Sequence, residues 1–240
     1  MELHAAIFDV DGVLVASPHE RAWREALQGY ADPSRFTTEF YQTHVAGKRR
    51  LDGALATLEG LGVPNAEGCA EGYAERKQAI IDRLIESGCF AAFPDAVRFA
   101  AGLSAAGLKL ALASSSKNAD AMLRRLDLPD GRNLLSIFDA DMSGCEVLRG
   151  KPDPALFLLA ADAVDMMPAE CVVVEDAPAG VKAAHAGGMA SLGIARLHDE
   201  TLLQEAGAEL VVDSLDKVDI AALTHGVLRI KGPAGGQPHA

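Results

Sequence analysis

Asp9 and Asp11 stand at the end of a short apolar run, Ala5-Ala6-Ile7-Phe8, with one valine between them. Other polar groups sit beside apolar runs in the same way: Ser114-Ser115-Ser116, Lys151 ahead of Pro152-Asp153-Pro154, and Glu175-Asp176. Clustered carboxylates repel one another unless a cation lies between them, and hard oxygen ligands with open positions suit Mg²⁺. Such an ion takes one or two carboxylates, waters and a substrate phosphate. The Ser114 hydroxyl, nearby backbone N–H groups and Lys151 can hold the phosphoryl oxygens that the metal leaves free. A carboxylate is also a competent nucleophile at phosphorus, and a second acid two residues on can move the proton.

That chemistry needs all of these groups at one edge of one element layer. The apolar runs at 5–8, 108–113, 171–174 and 210–212 read as buried strands, with a weaker candidate at 190–194 and a further short strand at 137–138. Helical patterns separate them. Ala119, Met122, Leu123 and Leu126 share one helix face, as do Phe157, Ala160, Ala161 and Val164, and Gly107 stands where a cap for a 95–106 helix belongs. Strand alternating with helix predicts an α/β fold, a Rossmann-like parallel sheet covered on both faces. Ligands of such sheets bind outside the carboxyl ends of the strands, where the acids, serines and lysine fall. Residues 16–92 carry helical patterns only, with the sole tryptophan and all three tyrosines. They read as a small helical cap inserted after the first strand. The core is then 1–15 plus 93–226, and 227–240 has the composition of a flexible tail.

Asp9-Val10-Asp11-Gly12-Val13-Leu14, Ser114 within Ala113-Ser-Ser-Ser-Lys-Asn118, Lys151-Pro152-Asp153-Pro154 and Glu175-Asp176-Ala177-Pro178-Ala179-Gly180 occur in this order. They resemble the four motifs of the haloacid dehalogenase-like superfamily over nearly the whole chain. The resemblance implies Asp9 as nucleophile and Mg²⁺ ligand, and Asp11 as acid/base, with its backbone carbonyl on the metal. It implies Ser114 on the transferring phosphoryl group with Asn118 nearby, Lys151 as charge neutraliser, and Asp176 with Glu175 completing the metal site. Because Asp11 is present, phosphoryl transfer is implied over dehalogenation. His19 before Arg21-Ala22-Trp23, Gly47-Lys48-Arg49-Arg50 and Ala74-Glu75-Arg76-Lys77 resemble the β-phosphoglucomutase-like branch. That likeness implies Arg50 and Lys77 on a distal phosphate or sugar, His19 at the entrance, and Ser115 and Ser116 beside the substrate. Two departures stand out: Ala16 replaces an acid common in relatives, and the Gly12-to-His19 segment is shorter than in the mutase. The register of the cap arginine, Arg49 or Arg50, stays open.

The expected activity is Mg²⁺-dependent phosphoryl transfer through an aspartyl-phosphate on Asp9, with hydrolysis of a small phosphorylated sugar or related metabolite favoured. The alternative is a sugar-phosphate mutase taking β-glucose 1-phosphate to glucose 6-phosphate. A non-catalytic phosphate-binding module would be marked by a missing nucleophile, acid/base or lysine, and none is missing. The 240 residues carry a net charge of −12, which argues against non-specific binding to nucleic acid or anionic membrane. A hydrophobic fraction of 49% excludes a disordered or collagen-like chain. Cys69, Cys89, Cys145 and Cys171 lack zinc-site spacing, and Met1-Glu2-Leu3-His4 lacks the flank of a signal peptide, so a cytoplasmic, reduced protein is expected. The sequence leaves the oligomeric state open.

Overall fold

Residues 2–232 are described by a computed structural model. The chain begins with β1 (Ala5–Phe8), the two-residue strand β2 (Val15–Ala16), and helices α1 (His19–Ala26), α2 (Thr38–His44), α3 (Arg50–Gly60) and α4 (Ala66–Glu86). It returns through β3 (Ala91–Ala92), α5 (Pro94–Ala105), β4 (Lys109–Leu112), α6 (Ala119–Leu123), β5 (Ala140–Asp141) and α7 (Ala155–Ala163). It closes with β6 (Cys171–Glu175), α8 (Pro178–Ala186), β7 (Ala190–Ile194), α9 (Glu200–Glu205), β8 (Leu210–Val212) and α10 (Ile220–Thr224).

Six strands form one parallel sheet in the order β5-β4-β1-β6-β7-β8. All four β1 side chains are buried because both sheet faces are covered. Ala6 and Phe8 join Leu110, Leu112, Val172, Val174 and Phe99 of α5, whereas Ala5 and Ile7 join Ala111, Val173 and Phe157 of α7. The chain leaves β1 toward β4 and β5, then resumes on the other side with β6. The carboxyl ends of β4, β1 and β6 therefore meet at the switch point, where open sheets bind ligands.

Helices α1 to α4 stand between β2 and β3, which pair antiparallel through Val15 with Ala92 and Ala16 with Ala91. This ribbon was not legible in the sequence, because two-residue strands carry no periodicity. Within the helical insert, Tyr73 is fully buried, packs on Trp23 and Tyr30, and donates to the Trp23 carbonyl at 2.9 Å.

Three local expectations need correction. The strand expected at 137–138 is a 3-10 turn, Leu134–Ile137, and the edge strand forms just beyond it as β5. Asn133 causes this: its carbonyl oxygen accepts from Leu135 N while its amide donates to the carbonyls of Arg124 and Leu126. The helix expected over 117–126 is the shorter α6. Residues 227–232, expected to be flexible, are fastened: Lys231 N donates to Lys217 O at 2.7 Å and Arg229 pairs with Asp219. The rest of the expected tail, 233–240, lies outside the described residues. No helix among the described residues is long and apolar enough to cross a membrane, and all four cysteines are free.

Candidate active site

The sheet edge and the helical insert enclose a cavity of about 430 Å³. Its core wall is built from strand ends. Asp9 continues the ladder of β1, its N–H donating to Val174 O at 3.0 Å. Ser114 follows β4 and Glu175 ends β6. Lys151, ahead of α7, donates to Asp9 Oδ1 at 2.6 Å and to Glu175 Oε2 at 3.0 Å, with its side chain and that of Glu175 wholly buried. Burial works against the Lys151 ammonium, but Asp9 and Glu175 beside it hold its pKa above the ordinary lysine value.

Asp9, Glu175 and Asp176 each offer a carboxylate oxygen within 4.8 Å of the others. Burial pushes all three upward, Glu175 to about 8, and in Asp176 the charges of Glu175 and Asp9 add to it. One ammonium does not balance three buried carboxylates, and Glu175 Oε1 has no hydrogen-bond partner among the described residues. An all-oxygen, surplus-negative cluster of this kind fits a hard divalent cation. Two glycines make the approach possible. Gly12 has φ +83°, and a Cβ there would lie 1.9 Å from Asp176 Oδ2; a Cβ on Gly180 would lie 2.1 Å from the Glu175 carboxyl carbon. The Asp11 side chain stays out of this cluster.

Asp11 instead faces the insert, its Oδ1 lying 3.4 Å from His19 Nε2. Burial raises the Asp11 pKa, with the Ser17 hydroxyl and Lys77 pulling it back. Lys77 Nζ lies 2.7 Å from His19 Nδ1, and Ser116 Oγ lies 3.2 Å from His19 Nε2 on the other side of the ring. Burial brings Lys77 down to about 7, Asp11 opposing and Arg50 assisting, and holds His19 well below its usual value with help from Lys77. Lys77 also lies over the Trp23 ring, 5.0 Å from its centroid.

The serine loop folds on itself, Ser116 N donating to Ser114 Oγ at 3.1 Å and Asn118 N to Ser116 Oγ at 3.2 Å. Ser115 Oγ donates across to Gly47 O at 3.0 Å, joining sheet edge to insert. The two arginines part company. Arg49 pairs with Asp52 at 2.6 Å and donates to Leu148 O at 3.1 Å, so its guanidinium is occupied. Arg50 has a neutral partner, Gln78 Oε1 at 2.6 Å, and Gln78 donates onward to Asn118 Oδ1 at 2.8 Å. Arg50 thus keeps its charge available at the cavity.

Of the twelve residues singled out in the sequence, ten line the cavity; Lys151 stands behind them and donates to Asp9, and Glu175 braces Lys151. Sequence reasoning missed Gln78, whose only signal was its place next to Lys77, and Tyr41, which also packs against the core. Tyr41 lines the cavity, and burial together with the charges of Asp176 and Asp11 raises its phenol pKa well above the usual value.

A family model of haloacid dehalogenase-like hydrolases matches residues 3–188. The chain belongs to this family. Within it, the chain is 33% identical to a β-phosphoglucomutase of Mycobacterium bovis over 89% of its own length and 90% of the relative's. It is 31% identical to a phosphorylated carbohydrates phosphatase of Thermotoga maritima, over 88% and 94% of the two chains. The crystal structure of an archaeal β-phosphoglucomutase from Pyrococcus sp. strain ST 04 superposes with a TM-score of 0.73 at 32% identity, covering 92% of this chain and 98% of the other. This haloacid dehalogenase-like protein is an enzyme of the phosphatase or phosphomutase type, in the β-phosphoglucomutase-like branch.

Proposed function

We propose that the enzyme transfers the phosphoryl group of a small phosphorylated sugar to Asp9, with Mg²⁺ bound among Asp9, Glu175, Asp176 and the backbone carbonyl of Asp11. The observation that carries this reading is the buried Lys151–Asp9–Glu175 contact beside Asp176, at the floor of a cavity that Ser114 also lines. Lys151 occupies one Asp9 oxygen and leaves the other to attack phosphorus. As the bond from phosphorus to the sugar oxygen breaks, Asp11 gives that oxygen its proton. Ser114, Ser116 and Lys151 hold the phosphoryl oxygens, and bound Mg²⁺ supplies charge neutralisation for them. Water then loses a proton to Asp11 and attacks the aspartyl-phosphate, releasing phosphate and restoring Asp9. Asp11 keeps 18% of its side-chain surface accessible, so water can reach it for this step.

A second reading, a sugar-phosphate mutase, is favoured by the insert wall. Despite the shortened segment before it, His19 reaches Asp11, and Arg50 offers a free charge for a distal phosphate. In that reading a sugar hydroxyl replaces water in the second step and water is kept out by closure. The test is phosphorus NMR of the protein with Mg²⁺ and β-glucose 1-phosphate, with and without a trace of glucose 1,6-bisphosphate. Free phosphate alone supports hydrolysis; bisphosphate-dependent glucose 6-phosphate supports the mutase. Absence of any Mg²⁺-dependent phosphoryl transfer from a panel of sugar phosphates overturns both.

A further inference from the structure

Arg196, just past β7, reaches the turn that carries Asp11, and its side chain is only 12% exposed. Its Nη2 donates to the Val13 carbonyl at 3.2 Å and its Nε to the Gly12 carbonyl over a longer 3.4 Å. No backbone N–H donates to either carbonyl among the described residues. The third arm, Nη1, donates to Asp95 Oδ2 at 2.8 Å, and the guanidinium lies over the Phe93 ring, 4.0 Å from its centroid. Asp95 Oδ2 also accepts from Leu215 N at 2.9 Å and from Ser214 Oγ at 3.2 Å, which ties the fork to the segment after β8. One side chain thus grips the chain where it leaves the core for the insert, at 12–13, and where it returns, at 93–95.

The turn is otherwise closed on itself. Leu14 N and Val15 N both donate to the Val10 carbonyl, and Gly12 N donates to the Val15 carbonyl. Such internal bonds shape the turn without fixing where it stands against the strand ends. Asp9 has no need of the arginine, because its N–H belongs to the ladder with Val174 and its carboxylate is held by Lys151. Asp11 is placed less firmly. Its Oδ1 has no hydrogen-bond partner among the described residues, with His19 Nε2 standing 3.4 Å away. The position of the turn therefore sets the position of this carboxylate, and a planar fork across two successive carbonyls is what holds the turn.

We infer that Arg196 is the positioning residue for Asp11: by gripping the Gly12 and Val13 carbonyls it aims the acid/base without touching substrate. This rests on the phosphoryl-transfer reading above, in which Asp9 takes the phosphoryl group and Asp11 moves the protons. Loss of the grip then spares the step that needs Asp9 alone and slows the step that needs Asp11.

The test is stopped-flow kinetics of the full chain with saturating MgCl₂ and 4-nitrophenyl phosphate. As the bond from Asp9 to phosphorus forms, the bond from phosphorus to the aryl oxygen breaks and 4-nitrophenolate leaves without a proton. Hydrolysis of the aspartyl-phosphate still requires Asp11 to take a proton from water. Arg196→Lys keeps a charge for Asp95 but cannot fork across two carbonyls, and Arg196→Met removes both functions. In each variant steady-state turnover should fall about 10- to 100-fold, the cost of a misplaced acid/base. The first turnover should slow far less, so the ratio of the two rates rises about tenfold or more. Melting temperature should fall less in Arg196→Lys than in Arg196→Met. A purely structural arginine would instead lower both rates in parallel, and lysine would restore both. Parallel losses, or parental turnover in Arg196→Lys, overturn the inference while leaving the phosphoryl-transfer reading in place. If Arg196→Met fails to fold, Arg196→Lys decides. Absence of Mg²⁺-dependent phosphoryl transfer by the unmodified chain, from this ester and from sugar phosphates alike, overturns that reading and this inference with it.

Discussion

The two walls of the main cavity solve the problem of buried charge in opposite ways. On the core wall, Lys151 is locked between Asp9 and Glu175 and its charge is reinforced, while three carboxylates crowd together. On the insert wall the charges are thinned instead. Lys77 is pushed down to about 7 and His19 well below its usual value, each chiefly by burial, and Arg50 rests on a neutral amide. The core wall is a fixed ion cluster at strand ends, built for one charged group. The insert wall is a set of groups whose charge is weakened or set against a neutral amide, held by helix packing. The difference implies that lesions in the core wall abolish chemistry whatever the substrate, whereas lesions in the insert wall grade by substrate.

The sharpest way to break that contrast is Asp9→Asn. Turnover should fall on the order of 10⁴-fold or more on every phosphoester, as for loss of a catalytic nucleophile. The melting temperature should hold or rise, since one of three crowded carboxylates is gone. Comparable activity in the variant would remove Asp9 from the chemistry. Lys151→Met comes next: two buried carboxylates lose their shared cation, and stability in urea should drop about 3–5 kcal/mol, together with turnover. A variant as stable as the parent would mean that the cluster is not held by this ion pair.

On the insert wall, Arg50→Ala should lower kcat/KM for a sugar phosphate about 10- to 100-fold, the range of a charge-assisted hydrogen bond. Hydrolysis of a small aryl phosphate should change little. Equal losses on both substrates would place Arg50 among the core groups. A further prediction concerns Lys77. Its folded pKa, about 7, lies below the 10.5 of the unfolded chain, so the unfolded state binds more protons between those values. Lys77 therefore contributes a stability term that rises with pH from about 7 toward 10. Urea unfolding across that window should show a steeper rise in the parent than in Lys77→Met, and parallel curves would contradict the depressed pKa.

The core wall was legible because each of its residues touches a recognisable local pattern. Asp9 and Glu175 end apolar runs that can only be buried strands, Ser114 follows another, and Lys151 introduces a helix start. Once the strands are parallel and adjacent, the site assembles itself. The insert wall was only partly legible. Arg49 and Arg50 are neighbours of one type in sequence, and nothing local says that Asp52 and the Leu148 carbonyl occupy the first. The strand expected at 137–138 failed for the converse reason, because one asparagine outcompeted the apolar pair through side-chain hydrogen bonds to four backbone groups.

By itself the sequence determined the α/β sheet, the order of its strand-end acids, the helical character of residues 16–92 and the kind of chemistry that these groups can do. Hydrophobic periodicity and motif spacing are local properties, and they survive in one dimension. Only the tertiary structure decided which arginine stays free, that His19 reaches Asp11 across the shortened connection, and how far burial weakens the proton affinity of Lys77. Those outcomes depend on desolvation and on distances between segments far apart in the chain, and neither exists until the helices pack against the sheet.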